Sequence, residues 1–187
     1  LISFNKTFAE KVPTIVISAG KTPQSLSTVG TNVTVISGDT IRKSPEFFLG
    51  NIIDGSTSST NTFQLGGDGT NMGIQLRGLE KRYSTVYVNG VKMSDPSTPD
   101  NSFYFQHIMK DSIDRVEILK GNQSSLYGAN AIGGTIHIFT KKGKEGHRSN
   151  VSVDSGSNNT KSAYYSVDGA NDKIDYYLGL NRFLTSG

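Results

Sequence analysis

The sequence has no cysteine among its 187 residues. That removes disulfides, thiolate nucleophiles and zinc–thiolate centres together, and it is compatible with the bacterial periplasm. Long apolar runs are missing as well. Nothing approaches the ~18 residues a membrane-spanning helix requires, so any crossing of a bilayer would have to be made by a barrel of strands. Charge of one sign is also lacking: Lys and Arg are scattered among Asp and Glu, and the formal net charge is +3. Without a basic stripe, nucleic acid is not an expected partner. Catalytic spacing is absent too. His107, His137 and His147 stand in no metal-binding arrangement, no G-x-S-x-G elbow occurs, and Gly66, Gly67 and Gly69 lack the Lys-Ser/Thr of a phosphate loop. Neither Asp68 nor the Asp95 to Asp100 stretch has the ligand spacing of a calcium loop. The expectation is therefore a protein that is not an enzyme and carries no metal or cofactor.

Turn formers and short β-branched runs dominate what is there. Apolar residues make up 34% of the chain, low for a compact enzyme, and 21 glycines favour a turn-rich chain with much solvated surface. Val and Ile nevertheless recur in short alternating runs that have a face to bury, which argues against disorder. Residues 13–19 (PTIVISA) read as extended, either an edge strand of this domain or a strand that another protein's sheet can borrow. Residues 32–36 predict a strand, followed by a short helical turn capped around Ser37 and Asp39. A longer helix is predicted with Ser44 as cap and Pro45 first, and Phe48, Leu49, Ile52 and Ile53 on its buried side. Residues 54–70 read as one long loop.

Strand signals return at 73–77. Asn89-Gly90 then joins 85–88 to 91–93 with the strongest short hairpin signal a sequence carries. A second exposed loop spans 94–101. In the strand 113–119, Val116 and Ile118 share an apolar face, while Arg115 and Glu117 share a polar one. A turn at 123–127 stops at Gly128, a strand follows at 135–140, and a basic linker covers 141–148. Beyond it, Val151 and Val153, then Ala163, Tyr165 and Val167, then Ile174, Tyr176, Leu178 and Leu180 mark three amphipathic strands. These suit a transmembrane barrel, although a soluble meander has the same period.

Three motifs converge on one family: IQLRG at 74–78, VYVNGV at 86–91, and IDRVEILKGNQSSLYGANAIGGTIHIFTKKG at 113–143. In order and spacing they resemble the plug of TonB-dependent outer-membrane receptors. The N-terminal PTIVISAGKT resembles the TonB box, most closely in the form seen in cobalamin receptors. Three positions depart from the family pattern: Lys120-Gly121-Asn122 for Arg-Gly-Pro, Ile53-Asp54-Gly55 for leucine-proline-glycine, and His137 for Asn.

The resemblance implies an α+β plug domain, a small mixed β-sheet with short helices, over 25–143. The first antiparallel strands of a transmembrane β-barrel would follow at 144–187. Residues 13–24 would be the TonB-box segment and linker, and 1–12 a signal-peptide remnant or flexible N-terminus. It further implies a receptor in the outer membrane of a Gram-negative bacterium, taking up a ferric siderophore or cobalamin. Its partners would be that metal chelate, the TonB-ExbB-ExbD complex in the periplasm, and outer-membrane lipid around the barrel.

By position in the plug, the apical loops at 61–72 and 92–101 would meet the chelate through Phe63, Gln64, Leu65, Asn71, Met93, Asp95 and Ser97. The TonB box would be Thr14, Ile15, Val16, Ile17, Ser18 and Ala19. Arg77, Glu117 and Lys120 would form an ionic cluster against the barrel wall. Three strands cannot close a barrel, which needs at least ~8, so the rival expectation is a soluble plug-like binding module without transport.

Overall fold

The computed structural model describes residues 15–187. A short hairpin opens it, β1 (Ile15–Val16) pairing antiparallel with β2 (Gln24–Ser25). Next come β3 (Asn32–Ser37), α1 (Gly38–Lys43), α2 (Leu49–Ser56), β4 (Thr60–Gln64) and β5 (Met72–Leu76). They are followed by β6 (Ser84–Val88), β7 (Val91–Met93), β8 (Ile113–Lys120), α3 (Ser124–Tyr127) and β9 (Gly134–Thr140). Five of these strands make one mixed sheet in the order β3-β8-β9-β6-β7, in which only β6 and β9 run parallel. The Asn89-Gly90 hairpin forms as its sequence dictates, both residues taking positive φ (49° and 84°).

Alternation gives the sheet two different faces, and both are covered. Ile36, Val116, Ile118, Ile136, Ile138 and Val86 point to one side, where Ile41 of α1, Leu49, Ile52 and Ile53 of α2, and Met72, Ile74 and Leu76 of β5 close over them. Each such fully buried side chain contributes about 1.5–3 kcal/mol relative to exposure. The opposite side carries Leu119, Glu117, Val33, Tyr87 and His137. It is covered by Tyr127 of α3, Ala131 and the segment around Ala19.

The structure corrects four local expectations. The second helix starts at Leu49, not Pro45. Ser44 instead ends α1 in extended conformation, and the Leu49 N–H donates to the Ile108 carbonyl at 2.9 Å. Phe48 is drawn out of the helix into an edge-on stack with Phe183, so tertiary packing, not Ser44, sets the boundary. Residues 54–70 are not one loop. β4 lies inside them, paired with β5 as a hairpin, and Asp54 accepts the Thr62 N–H at 2.9 Å; its Thr, Asn and Gln side chains hid the strand, since they carry little apolar alternation. Arg77 leaves its strand at φ +56°, and β5 pairs with β4 and not with β8. Lastly, the polar face of β8 is covered within the described residues themselves, and Glu117 on it is wholly buried.

After residue 145 the chain forms a separate antiparallel sheet of β10 (Gly146–Ser155), β11 (Lys161–Ala170) and β12 (Asp175–Leu184). Its faces differ in chemistry. Val151, Tyr165 and Leu180 stand in register on the outer side and are exposed, as are Val153 and Leu178. The inner side rests on the first domain. Phe183 packs against Phe47 and Phe48, with ring centroids 5.2 and 5.3 Å apart. Asn181 donates to Asp111 at 2.5 Å, and the Tyr177 hydroxyl donates to the Asp111 carbonyl at 3.4 Å. This seam was not legible in the sequence, because Phe47 and Asp111 carry no motif and meet the strand more than sixty residues away.

Candidate functional site

The predicted N-terminal segment is docked. Thr14, like residues 1–12, lies outside the described residues. From Ile15 onward the chain lies on the second face of the sheet, with Val16 and Ser18 buried. The Ile17 and Ser18 N–H groups both donate to Glu117 Oε2, at 3.0 and 2.9 Å. Arg115 Nε donates to the other carboxylate oxygen at 2.9 Å, its guanidinium lying over the Phe139 ring. The Tyr127 hydroxyl donates to the Ser18 carbonyl, and Lys21 sits 5.3 Å from the centre of the Tyr127 ring.

His137 lies directly across from Glu117 in the β8–β9 register. Its ring stacks on Tyr87 at 4.8 Å, meets Tyr127 edge-on at 4.9 Å, and its Nε2 pairs with Thr135 Oγ1 at 3.0 Å.

Burial governs the titration of this cluster. It pushes the His137 imidazole down to about 4, although the nearby Glu117 carboxylate pulls the other way. Burial also pushes Glu117 up, but the Ser18 and Ile17 amides and Arg115 outweigh it and leave its carboxyl below the usual range. A His whose neutral form is favoured contributes stability in full above the unfolded value of 6.5. That contribution is lost as pH falls from 6.5 towards about 4. The Glu117 contribution is present above 4.5 and fades only below that. We therefore expect acid to weaken this face through His137 first, by up to about 3 kcal/mol across that window. Denaturant midpoints measured at neutral pH and near pH 4 should differ for the wild type and much less for His137→Asn. Equal slopes in both would remove His137 from the account.

The apical candidates divide. Gln64 donates to the Gly67 carbonyl at 2.7 Å and shapes its own loop. Asp95 accepts the N–H and hydroxyl of Ser97 at 2.9 and 2.6 Å, so both residues shape a turn. Met93 packs against the main core, and Phe63 lies against Gly73. Asn71 is exposed, and Leu65 is 75% exposed at the hairpin tip. The loop proper is residues 65–71, because Asn61, Phe63, Gln64 and Met72 belong to strands.

Lys81 was missed by sequence reasoning. It holds Asp100 at 2.6 Å and lies 4.7 Å from the centre of the Tyr104 ring, so it ties the second loop to its base. Hydrogen bonding from Lys81 keeps the Asp100 carboxyl well below the usual carboxylate range.

The three predicted ionic residues do not come together. Glu117 is taken by Arg115 and the N-terminal segment. Lys120 donates to Thr57 Oγ1 at 2.7 Å, and burial lowers its pKa. The exposed Arg77 guanidinium lies against Gly121. Among the described residues neither cation pairs with a carboxylate.

A family described as the TonB-dependent Receptor Plug Domain matches residues 25–135. The chain is 30% identical over 154 residues to the vitamin B12 transporter BtuB of Vibrio vulnificus, covering 82% of this chain and 25% of that protein. It is 34% identical over 139 residues to the rhizobactin receptor of Rhizobium meliloti, covering 70% and 17%. Among solved structures, the siderophore receptor PiuA from Acinetobacter baumannii superposes over 92% of this chain and 23% of its own, with a TM-score of 0.70 at 23% identity. The pyoverdine outer membrane receptor FpvA of Pseudomonas aeruginosa superposes over 85% and 22%, with a TM-score of 0.71 at 19% identity. This chain thus spans a quarter or less of the length of these relatives.

Proposed function

This chain belongs to the TonB-dependent receptor plug family, and from that premise we propose that it serves as the gate and ligand-facing domain of an active uptake receptor for a metal chelate. The family places it in the outer membrane of Gram-negative bacteria. One observation carries the reading beyond a plug-like fold. The sheet of β10, β11 and β12 turns tyrosine, asparagine and phenylalanine towards the plug, and an apolar row outwards. A soluble binding module would leave that row in water, whereas a barrel wall turns it to lipid.

In this reading residues 25–143 are the plug and 144–187 belong to the wall. Arg77 and Lys120, cations without a carboxylate partner among the described residues, meet acidic groups of the wall. Desolvated pairs of that kind loosen without melting an apolar core, and deleting one member costs more than replacing both. Residues 14–19 pair by strand addition with the periplasmic domain of TonB, powered through ExbB and ExbD, because the outer membrane has no energy supply of its own.

The cargo is a ferric siderophore or a cobalamin, the two classes named among the relatives. Leu65 and Asn71 at the hairpin tip, with Phe63 behind them, are the contacts the geometry favours. Titration of the full-length receptor should find one of these chelates bound at micromolar Kd or tighter. Leu65→Asp should weaken that binding about tenfold, the effect of losing one apolar anchor. Failure of both chelate classes beside saturable binding of a sugar or peptide would overturn the assignment.

A further inference from the structure

The basic run between plug and wall is held in place. The Lys141 N–H donates to the Ser112 carbonyl at 2.9 Å, and the Lys144 N–H donates to Asp168 Oδ2 at 3.3 Å. Between them Gly143 is pressed onto the wall: a Cβ there would stand 2.6 Å from the Tyr176 carbonyl oxygen and closer still to that of Gly169. Only glycine lets two backbones approach so closely, so Lys141, Lys142 and Lys144 are carried on a fixed main chain. All three line one cavity of about 960 Å³, between α1, the end of β9 and the start of β10.

Charge in this cavity is unequally satisfied. Three carboxylates line it, and an arginine holds each: Asp39 by Arg42 at 2.5 Å, Asp168 by Arg148 at 2.5 Å and Asp114 by Arg115 at 3.3 Å. Among the described residues no carboxylate pairs with the three lysines. The linker therefore adds three uncompensated ammonium groups on flexible stems, which can converge on a guest where committed guanidinium forks cannot. A concavity lined by excess charge of one sign concentrates ions of the other. Its volume is at the upper end of the range for small-molecule sites, and Ile113 and Phe139 offer apolar surface beside the charge. Among the described residues, none from the hairpin at 60–76 or the loop at 94–101 lines it, so it is separate from the apical site.

We propose that this cavity is a second binding site, for an anionic metal chelate on the side by which cargo leaves the plug. The cargo is accordingly a negatively charged ferric chelate and not an uncharged cobalamin. This rests on the reading of the chain as an uptake receptor, in which Ile17, on the cavity wall, belongs to the strand that faces the periplasm.

The test uses the full-length receptor in detergent micelles, where both mouths are open to solution. A trianionic ferric tris-catecholate is the charged probe and cyanocobalamin the uncharged one. Acylation of each lysine is followed by peptide mass spectrometry, with Lys43, exposed and outside the cavity, as the control. Saturating tris-catecholate should slow acylation of Lys141, Lys142 and Lys144 at least about fivefold and leave Lys43 unchanged. The protection should vanish near 1 M salt, where the screening length falls to about 3 Å. Cyanocobalamin should protect none of them. Exposed charge pairs are each worth a factor of about two to three, so Lys141→Gln with Lys142→Gln should cut the protection left at Lys144 to about twofold or less. Equal protection by inorganic phosphate at matched ionic strength would make the cavity a counter-ion site only and overturn the proposal. Protection without chelate that disappears when anionic lipid is removed would assign the cavity to a phospholipid headgroup and overturn it too, as would equal protection by cyanocobalamin. Unprotected lysines in a receptor that still binds a chelate in a Leu65-sensitive manner would refute the second site and leave the uptake reading intact. Protection without apical binding of either chelate class would uphold the cavity and refute that reading.

Discussion

Replacing Ile17 by proline should reduce chelate uptake by energised cells to background while leaving chelate affinity unchanged. Proline has no N–H and fixes φ near −65°, so a strand containing it loses a ladder bond and resists pairing. The Ile17 N–H donates to Glu117 where the segment lies on the plug, and the same substitution removes that bond. Ile17→Pro is thus expected to free the segment and yet leave it unable to engage. That combination separates it from Glu117→Gln, which frees the segment with every backbone donor intact. The measurement is uptake of labelled chelate beside equilibrium binding on the same cells. Normal uptake would mean that main-chain pairing by this segment does not transmit the energy. Altered affinity would mean that the segment reaches the apical loops, which are remote from it in sequence.

The largest effect on stability is expected at Gly134. It opens β9 with φ +143°, and a Cβ there would stand 2.2 Å from the Leu119 carbonyl oxygen and 2.9 Å from a Leu76 methyl. Neither neighbour can yield, since the Leu119 carbonyl belongs to the adjoining strand β8 and Leu76 is fully buried. Strained backbone and a clash with fixed main chain act together, so Gly134→Ala should cost more than about 4 kcal/mol and strip the plug of its cooperative melting transition. Gly30 is the matched control. Nothing lies within 4 Å of its Cβ position and no positive φ is recorded there, so Gly30→Ala should be neutral or slightly stabilising. Calorimetry of the full-length receptor checks both. A Gly134→Ala plug that melts within about 1 kcal/mol of wild type would show that the β8–β9 junction can open around a methyl group.

Local chemistry decided much of this architecture. Asn89-Gly90 demanded a tight hairpin wherever the chain went. Val116 and Ile118 had to find a core because their spacing gave them one face, and the three terminal strands announced their alternation without any partner in view. The motif run at 113–143 carried the family, since its glycines, β-branched pairs and turn residues each have a fixed structural task.

What the chain's own letters could not carry was which polar groups would be paired, and with whom. Glu117 read only as part of a polar face, because alternation reports that two faces differ and not that both are covered. Only the return of residues 16–19 and α3 onto that face made its carboxylate a buried receptor for backbone amides. The resemblance put Arg77 and Glu117 in one ionic cluster, but pairing between strands is set by topology, and β5 went to β4. Phe48 left its helix for Phe183, and Asp111 met Asn181, across separations that no local pattern spans. Periodicity and turn chemistry act within a few residues, so they were settled by sequence. The satisfaction of buried charge depends on long-range juxtaposition, and the tertiary structure alone decided it.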